Sequence, residues 1–500
     1  MNRVLVANRG EIALRIIRGC HEEGLEAVAV YSDADRWSPH VKAADAAVPI
    51  GPAPARESYL RTDRLLDAAR HTGADAVHPG YGFLAERAAF AEAVEQAGLV
   101  FVGPTAHAIR AMGEKTEARR RMAAAGVPIV PGTTEPVADA EAAVRAAEGV
   151  GYPVLLKAAA GGGGKGMRLA RGAAEVRSGF PQASSEAQSS FGDGAVYVER
   201  FLERPRHIEI QVLADRFGNT LHLGERECSI QRRHQKLVEE SPSVAVDVDL
   251  RLRMGEAAVQ AARSVGYLSA GTVEFLVDQH GRFYFLEMNT RLQVEHPVTE
   301  LVYGVDLVRE QLRIAAGHPT ALPGRPLRPR GHAIECRITS EDPFAGFLPA
   351  IGRVEHLRIP SGPGVRWDGG IDQGSDVGLA YDPLLGKLIV WGEDRARAVQ
   401  RMRRALDELV IVGLPTSQPF HRRVMRDPEF LRGAYDIEYL DRAAGRLLEG
   451  APGPDDLEMA AIAAALAEDE RRRAVIPAAG NGPEARGDAW KRAGRLAGLR

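Results

Sequence analysis

Cysteine is scarce: Cys20, Cys228 and Cys336 are the three in 500 residues, far apart and without a CxxC spacing. That excludes a disulfide framework and a structural zinc site, and reduced thiols in a cytosol-like compartment are expected. Neither sign of charge is in excess, with 64 Lys and Arg against 67 Asp and Glu and a net charge of −3. No bulk field then draws the chain to nucleic acid or to an anionic membrane, and any anion must be gripped locally. No apolar run approaches the roughly 20 residues that span a bilayer. At the N-terminus Arg3-Val4-Leu5-Val6-Ala7 reads as a core strand, not as the apolar centre of a signal peptide. A cytoplasmic protein with no membrane and no nucleic-acid partner is the expectation. Hydrophobic residues at 45%, with 53 Gly and 30 Pro, describe a globular chain rich in turns, long enough for about three domains.

Short β-branched runs alternate with helix-length segments from the start. Val4–Ala7 and Ala27–Tyr31 flank a segment, 11–23, whose Ile12, Ile16 and Ile17 recur at helical spacing. The pattern continues through a strand at 74–77, a helix over 85–97 and a strand at 99–102, so residues 1–113 read as a doubly wound parallel sheet. The loop Asn8-Arg9-Gly10-Glu11 is not GxGxxG, which argues against a dinucleotide site. A Gly, Pro and Thr cluster at 126–136 reads as a connector, and Pro153–Lys157 as a strand. From 208 to 338 strand-like segments dominate around one helix near 250–265, which predicts a mixed, largely antiparallel sheet. The fold class is thus α/β with α+β. An Ala-rich stretch, 455–473, predicts a helix in a surface tail that begins at 447.

Gly161-Gly162-Gly163-Gly164-Lys165-Gly166 lets backbone N–H groups approach an anion without side-chain obstruction. Met167 stands where the P-loop GxxxxGK[ST] needs Ser or Thr, so that NTPase signature fails. A glycine run alone is more often a plain flexible loop, but Lys157, ending the strand that enters it, places a cation beside it. Glu199 closes another strand. In 283–297 the alternation of Glu287, Asn289 and Arg291 puts an acid, an amide and a base on one face of an extended chain, backed by Leu286, Met288 and Leu292. A hairpin through 278–281 brings Glu274 beside Glu287, and two carboxylates with an amide oxygen suit magnesium better than zinc. An exposed strand face would show the same alternation. His207 by itself reads as a structural hydrogen-bonding group rather than a catalytic one, the basic run 231–236 reads equally well as a solvated loop or as ligand-binding, and Cys228 reads as structural.

Together these segments resemble the ATP-grasp superfamily and, within it, the biotin carboxylase family. Seven motifs occur in order: 7–13, 78–84, the glycine loop, 206–211, 227–233, 287–296 and 335–338. The resemblance covers 1–446 and implies an N-terminal α/β domain (1–113), a linker (114–130), a lid (131–203), a body (204–332) and a C-terminal domain (333–446) with an antiparallel sheet. It implies ATP with Lys115, Lys157, Gly162, Gly163, Gly164, Lys165 and Gly166 on the phosphates and Glu199, Arg200 and Leu202 near adenine, besides His207, Gln231 and His234. Glu274, Glu287 and Asn289 would hold Mg2+ or Mn2+; Lys236, Arg291, Gln293 and Val294 would cradle bicarbonate; Glu295 would be the general base and Arg337 would stabilise the biotin enolate. Arg200 departs from the family's usual Lys. The implied reaction is ATP-dependent carboxylation of biotin through carboxyphosphate, as the first half-reaction of an acyl-CoA carboxylase, with acetyl-CoA and fatty-acid synthesis as the expected context. No Met-Lys-Met or Met-Lys-Leu biotinylation sequence occurs. A separate biotin carboxyl carrier protein, carboxyltransferase subunits and a homodimer are the expected partners. Another ATP-grasp ligase would have no need for the Arg291–Glu295 cradle or Arg337, and a non-catalytic regulator would have no need to keep Glu274, Glu287 and Glu295.

Overall fold

Each apolar segment of the first hundred residues is followed by a helical segment, short after the second strand and longer elsewhere, that returns the chain to the same end of one sheet. β1 (Arg3–Val6), β2 (Glu26–Ser32), β3 (Ala46–Gly51), β4 (Ala76–His78) and β5 (Val100–Phe101) pair in parallel in the order β3-β2-β1-β4-β5. Val4, Leu5 and Val6 are buried on both faces, and the helix Gly10–Glu22 covers one face with Ile12, Ile16 and Ile17. The strand order turns at β1 and β4, so the loops leaving their carboxyl ends meet, the place where open α/β sheets bind ligands. Asn8 joins the two loops, its Nδ2 donating to the carbonyls of Pro79 and Tyr81, both at 2.7 Å. Gly80 between them has φ +63°, and a Cβ there would stand 3.0 Å from Asn8 Nδ2.

This computed structural model describes residues 1–159, 166–323, 327–449, 460–466 and 468–469, without the side chains of Lys115, Thr116 and Phe191. The glycine loop through Lys165 and most of the tail lie outside the described residues. The chain divides into Met1–Leu447 and Leu448–Arg500; in the second, 460–466 and 468–469 are helical, within the Ala-rich stretch.

A small antiparallel sheet follows, with β6 (Val154–Ala158) between β7 (Met167–Ala170) and β8 (Val196–Arg200). Helices Ala140–Val150 and Ala173–Phe191 close its apolar face through Val144, Ala147, Val176 and Ala183. The first is capped by Asp139 Oδ1, which accepts from Ala142 N at 2.7 Å.

The largest sheet has eight strands: β9 (Arg206–Ala214), β10 (Thr220–Arg232), β11 (Gln235–Ser241), β12 (Ser269–Val277), β13 (Phe283–Asn289), β14 (His332–Thr339), β15 (Val365–Gly369) and β16 (Leu384–Gly392). Their order is β13-β12-β9-β10-β11-β14-β16-β15, and every pairing is antiparallel, not mixed as the sequence pattern suggests. Because β11 pairs with β14, the sheet crosses residue 332 without a break. The helix Val248–Ser264 packs on one face, where Ile208, Ile210, Val273, Phe275 and Phe285 meet Met254, Ala258 and Ala261.

Three local readings are corrected. The helix expected over 85–97 begins at Ala88. Helices His296–Tyr303 and Leu307–Ala315 add to the one expected between 208 and 338. They span 8 and 9 residues, too short for a clear period, and the first starts directly after the charged segment, with Pro297 in its opening turn. Within 114–130 the chain forms the helix Lys115–Ala124. Among the described residues no helix is long and apolar enough to cross a membrane.

Candidate active site

Residues opposite one another in an antiparallel pair project to the same face. The register therefore draws a line of charge across four strands: Glu287 opposite Glu274, Glu274 opposite Glu209, and Glu209 opposite Arg226. A second line crosses the other half of the sheet, with Glu239 opposite Glu335, and Arg337 opposite Lys387, itself opposite Asp368. Glu274 with Glu287, Glu209 with Arg226 and Asp368 with Lys387 pair across consecutive strands, whereas Glu274 with Glu209, Glu239 with Glu335 and Arg337 with Lys387 lie 50 or more residues apart.

Lys236, near the start of β11, joins the lines. Its Nζ donates to Glu295 Oε1 at 2.6 Å, to Glu274 Oε1 at 2.9 Å and to Glu209. Glu295 is fully buried and its second oxygen accepts from Arg337 Nη2 at 2.9 Å, while Arg337 Nε donates to Glu239 Oε1 at 2.6 Å. Burial alone would raise the Glu295 pKa, but Lys236 and Arg337 hold it well below the ordinary carboxylate range. Glu274 follows the same logic, held down by Lys236 and by His207, whose Nε2 lies 2.7 Å from Glu274 Oε2. Glu239 goes the other way: burial, only partly offset by Arg337, pushes it up to about 7.

Asn289 and Gln293 donate to Glu274 Oε1 at 2.8 and 3.1 Å. The strand ends at Asn289, so Arg291 is not on its face as the alternation suggests. It lies in the following bend, where Nε donates to Glu86 Oε2 at 2.8 Å, Nη2 to Asn289 Oδ1 at 3.1 Å and Nη1 to Gln293 Oε1 at 2.9 Å. Arg291 still meets Asn289, held by Glu86 rather than by strand geometry, and Glu287 lines the same cavity.

A cavity of 840 Å³ between the small and large sheets collects the expected residues: Lys157, Glu199, Arg200, Leu202, His207, Gln231, His234, Lys236, Glu274, Glu287, Asn289, Arg291, Gln293, Val294 and Arg337. Glu295 lies beneath it, behind Lys236 and Arg337. A second recess shares Val130, Lys157, Glu199, Glu287 and Asn289 with it and adds Ile109, Met112 and Met288 beside Arg119 and Glu86. A further cavity of 310 Å³ is lined by Asn8, Glu11, Tyr81 and Phe83 together with Gln235, Lys236, Val294 and Arg337. Those last four line the 840 Å³ cavity as well, so they form a partition between the two spaces. Gly166 is described, with φ +70°, but lies outside both linings; Gly162, Gly163, Gly164 and Lys165 fall outside the described residues, as does the side chain of Lys115.

Among the described residues two buried groups combine three potential metal ligands, His207-Glu209-Glu274 and Glu209-Cys228-Glu295. Lys236 Nζ already bonds Glu209, Glu274 and Glu295, so an ammonium serves as their shared cation. Glu287, exposed to the cavity beside Glu274 and Asn289, makes the better hard-cation edge: all three offer oxygen donors, which suits magnesium.

Several partners escape a reading of the sequence. Arg119 donates to Glu199 Oε1 and to the Val130 carbonyl, while Lys157 Nζ takes Glu199 Oε2 at 2.8 Å, so both oxygens of Glu199 are held. Glu209, Arg226 and Glu239 are missed too. The alternation His207, Glu209, Gln211 along β9 was a usable signal for Glu209; nothing near Arg119 or Lys387 marks them.

Comparison with known proteins adds an independent line. Residues 1–109 match the family model "Biotin carboxylase, N-terminal domain", 114–322 "Carbamoyl-phosphate synthase L chain, ATP binding domain", and 335–442 "Biotin carboxylase C-terminal domain". A biotin carboxylase of Nostoc is 54% identical, over 88% of this chain and 98% of its own. The chain belongs to the biotin carboxylase family. It shares the family's ATP-grasp fold and its class, ATP-dependent carboxylase ligases. The propionyl-CoA carboxylase alpha chain of Ruegeria pomeroyi is 48% identical, over 94% of this chain and 73% of its own. The biotin carboxylase domain dimer of Hydrogenobacter thermophilus 2-oxoglutarate carboxylase, solved with MgADP, ADP and bicarbonate, superposes with a TM-score of 0.85 at 46% identity, covering 90% of this chain and 99% of that one.

Proposed function

We propose that the chain carboxylates biotin at the expense of ATP, with bicarbonate as the carbon source. The observation that carries this reading is the partition: Lys236, Val294 and Arg337 line both cavities, with Glu295 buried behind them. A nucleotide in the 840 Å³ cavity and a ureido ring in the 310 Å³ cavity would meet across it, and an anion fits between, where cationic and N–H donors converge.

Adenine lies at the end of the 840 Å³ cavity lined by Glu199, Arg200 and Leu202; Lys157 turns from Glu199 to the phosphates, joined by Lys115, His207, Gln231, His234 and the backbone of the glycine loop through Lys165 and Gly166. Glu274, Glu287 and Asn289 would hold magnesium, which would supply charge neutralisation at the phosphates. Lys236, Arg291, Gln293 and Val294 N–H hold bicarbonate, and ionised Glu295 accepts its proton as a bicarbonate oxygen attacks the γ-phosphorus and ADP leaves. The anion takes a share of Lys236 and Arg337, which restores basicity to Glu295 as the reaction needs it. Carboxyphosphate then yields CO2 and phosphate, and phosphate is the base at hand for the ureido N–H. Arg337 faces the ureido oxygen and stabilises the resulting enolate, whose nitrogen attacks CO2.

Biotin would arrive on a carrier outside residues 1–500, and a carboxyltransferase would take the carboxyl group onward. The relatives named above serve different acceptors, so acetyl-CoA is one candidate among several. A homodimer and a cytoplasmic setting complete the proposal. Glu295→Gln tests it: the variant is expected to bind ATP as the unaltered protein does and to lose carboxybiotin formation about 100-fold or more. Unchanged carboxybiotin formation would remove Glu295, and with it this reading of the partition.

A further inference from the structure

Two motifs that the proposed chemistry leaves without a task, 7–13 and 78–84, meet behind the smaller cavity at one side chain. Lys387 is fully buried in the middle of β16, next to Arg337 on β14 and Asp368 on β15. Its Nζ donates to the Val294 carbonyl at 2.8 Å and lies 3.1 Å from Glu11 Oε1. The same Glu11 oxygen accepts from the Tyr81 hydroxyl, and Glu11 Oε2 has no hydrogen-bond partner. A buried ammonium thus ties three separated segments of one cavity wall.

We propose that Lys387 is a positioning residue for carboxylation: by holding the Val294 carbonyl, and Tyr81 through Glu11, it sets the backbone that carries Glu295 and the wall that receives the ureido ring. This rests on the reading of the partition given above. The Val294 carbonyl belongs to the same planar peptide as the nitrogen of Glu295. Fixing that oxygen fixes the plane from which the Glu295 side chain projects. The backbone bond is costly to build, because burial disfavours a charged Lys; the carboxylates of Glu11, Glu335 and Asp368 outweigh that and keep Lys387 protonated. A methionine or leucine would fill the same volume with no such requirement, so core packing alone does not explain the ammonium.

Removing Lys387 alone strands Glu11 as an unpaired buried carboxylate, so the informative variant is the double substitution Glu11→Gln/Lys387→Met, which deletes both charges at near-constant volume. Its thermal midpoint and ATP binding are read first, then kcat and the KM values for ATP, bicarbonate and biotin. The expected result is an ATP KM within about twofold of the unaltered protein, with kcat/KM for bicarbonate and biotin lower by about 10-fold or more. Unaltered bicarbonate and biotin kinetics, or a loss shared equally by ATP, overturns the proposal. Should the double variant fail to fold, Tyr81→Phe decides: it removes only the hydroxyl at the end of the relay, and is expected to raise the biotin KM several-fold with the ATP KM unchanged. An unchanged biotin KM overturns the relay. If the unaltered protein shows no turnover that needs both bicarbonate and biotin, the reading of the site fails, and this inference falls with it.

Discussion

Glu295 is ionised before any substrate arrives, because Lys236 and Arg337 compensate a charge that burial would otherwise neutralise. The same arithmetic governs Glu240, away from the chemistry. Arg395 Nε donates to its Oε2 at 2.7 Å, His332 Nε2 lies 2.5 Å from that oxygen, and Tyr435 bonds the other. Burial raises its pKa, but His332 and Arg395 lower it by more, and the net effect takes Glu240 from 4.5 to about 2. A carboxylate depressed on folding contributes stability that is present above its unfolded pKa and lost as pH falls through the folded one. Stability on the order of 3 kcal/mol is therefore expected to disappear between about pH 5 and pH 2. Glu240→Gln should flatten that part of a urea-midpoint series against pH; an unchanged acid slope would show that Glu240 does not set it. At this scale the sequence was most legible where a motif names its own residues: Glu274, Glu287, Lys236, Glu295 and Arg337 stand together as expected. Arg119, Glu239 and Lys387 were illegible, since their partners lie 80, 98 and 93 residues away and the pairing exists only once the chain has folded.

The turn between β10 and β11 puts function against local stability. Arg232 pairs with Gln235, so Arg233 and His234 are the whole loop, with φ of 49° and 63°. Such a turn favours Asn-Gly, and two side chains with Cβ atoms at positive φ cost roughly 1 kcal/mol each. Gln231, Arg233 and His234 line the larger cavity, which supplies the reason for tolerating that cost. Arg233→Asn/His234→Gly is expected to raise the thermal midpoint by a few degrees and the ATP KM several-fold. A lower midpoint with unaltered ATP binding would contradict both halves. Strands with a clear period of two, such as β9 and β12, could be read directly. Where a strand stops could not: Arg291 continues the alternation on paper, but the chain bends after Asn289 and Glu86, from another segment, holds the guanidinium.

Across the molecule, the parallel sheet and the antiparallel sheet each supply one side of the smaller cavity: Asn8, Glu11 and Tyr81 from the loops and helix start after β1 and β4, Lys236 and Arg337 from β11 and β14. The parallel half was legible from alternating strands and helices. The continuity of the eight-stranded sheet was not, because the pairing of β11 with β14 joins segments about 100 residues apart with no local signal. That continuity places Arg337 beside Lys236 and gives one partition two faces, one on each cavity; the proposed reaction sets nucleotide against one and biotin against the other. The central claim is that both faces act in one reaction. It is tested most directly by following ADP release from the purified chain with ATP, magnesium and free biotin, in buffer purged of CO2, with and without added bicarbonate. The account predicts release that requires bicarbonate and biotin together; release indifferent to both, from folded protein that binds ATP, would contradict it.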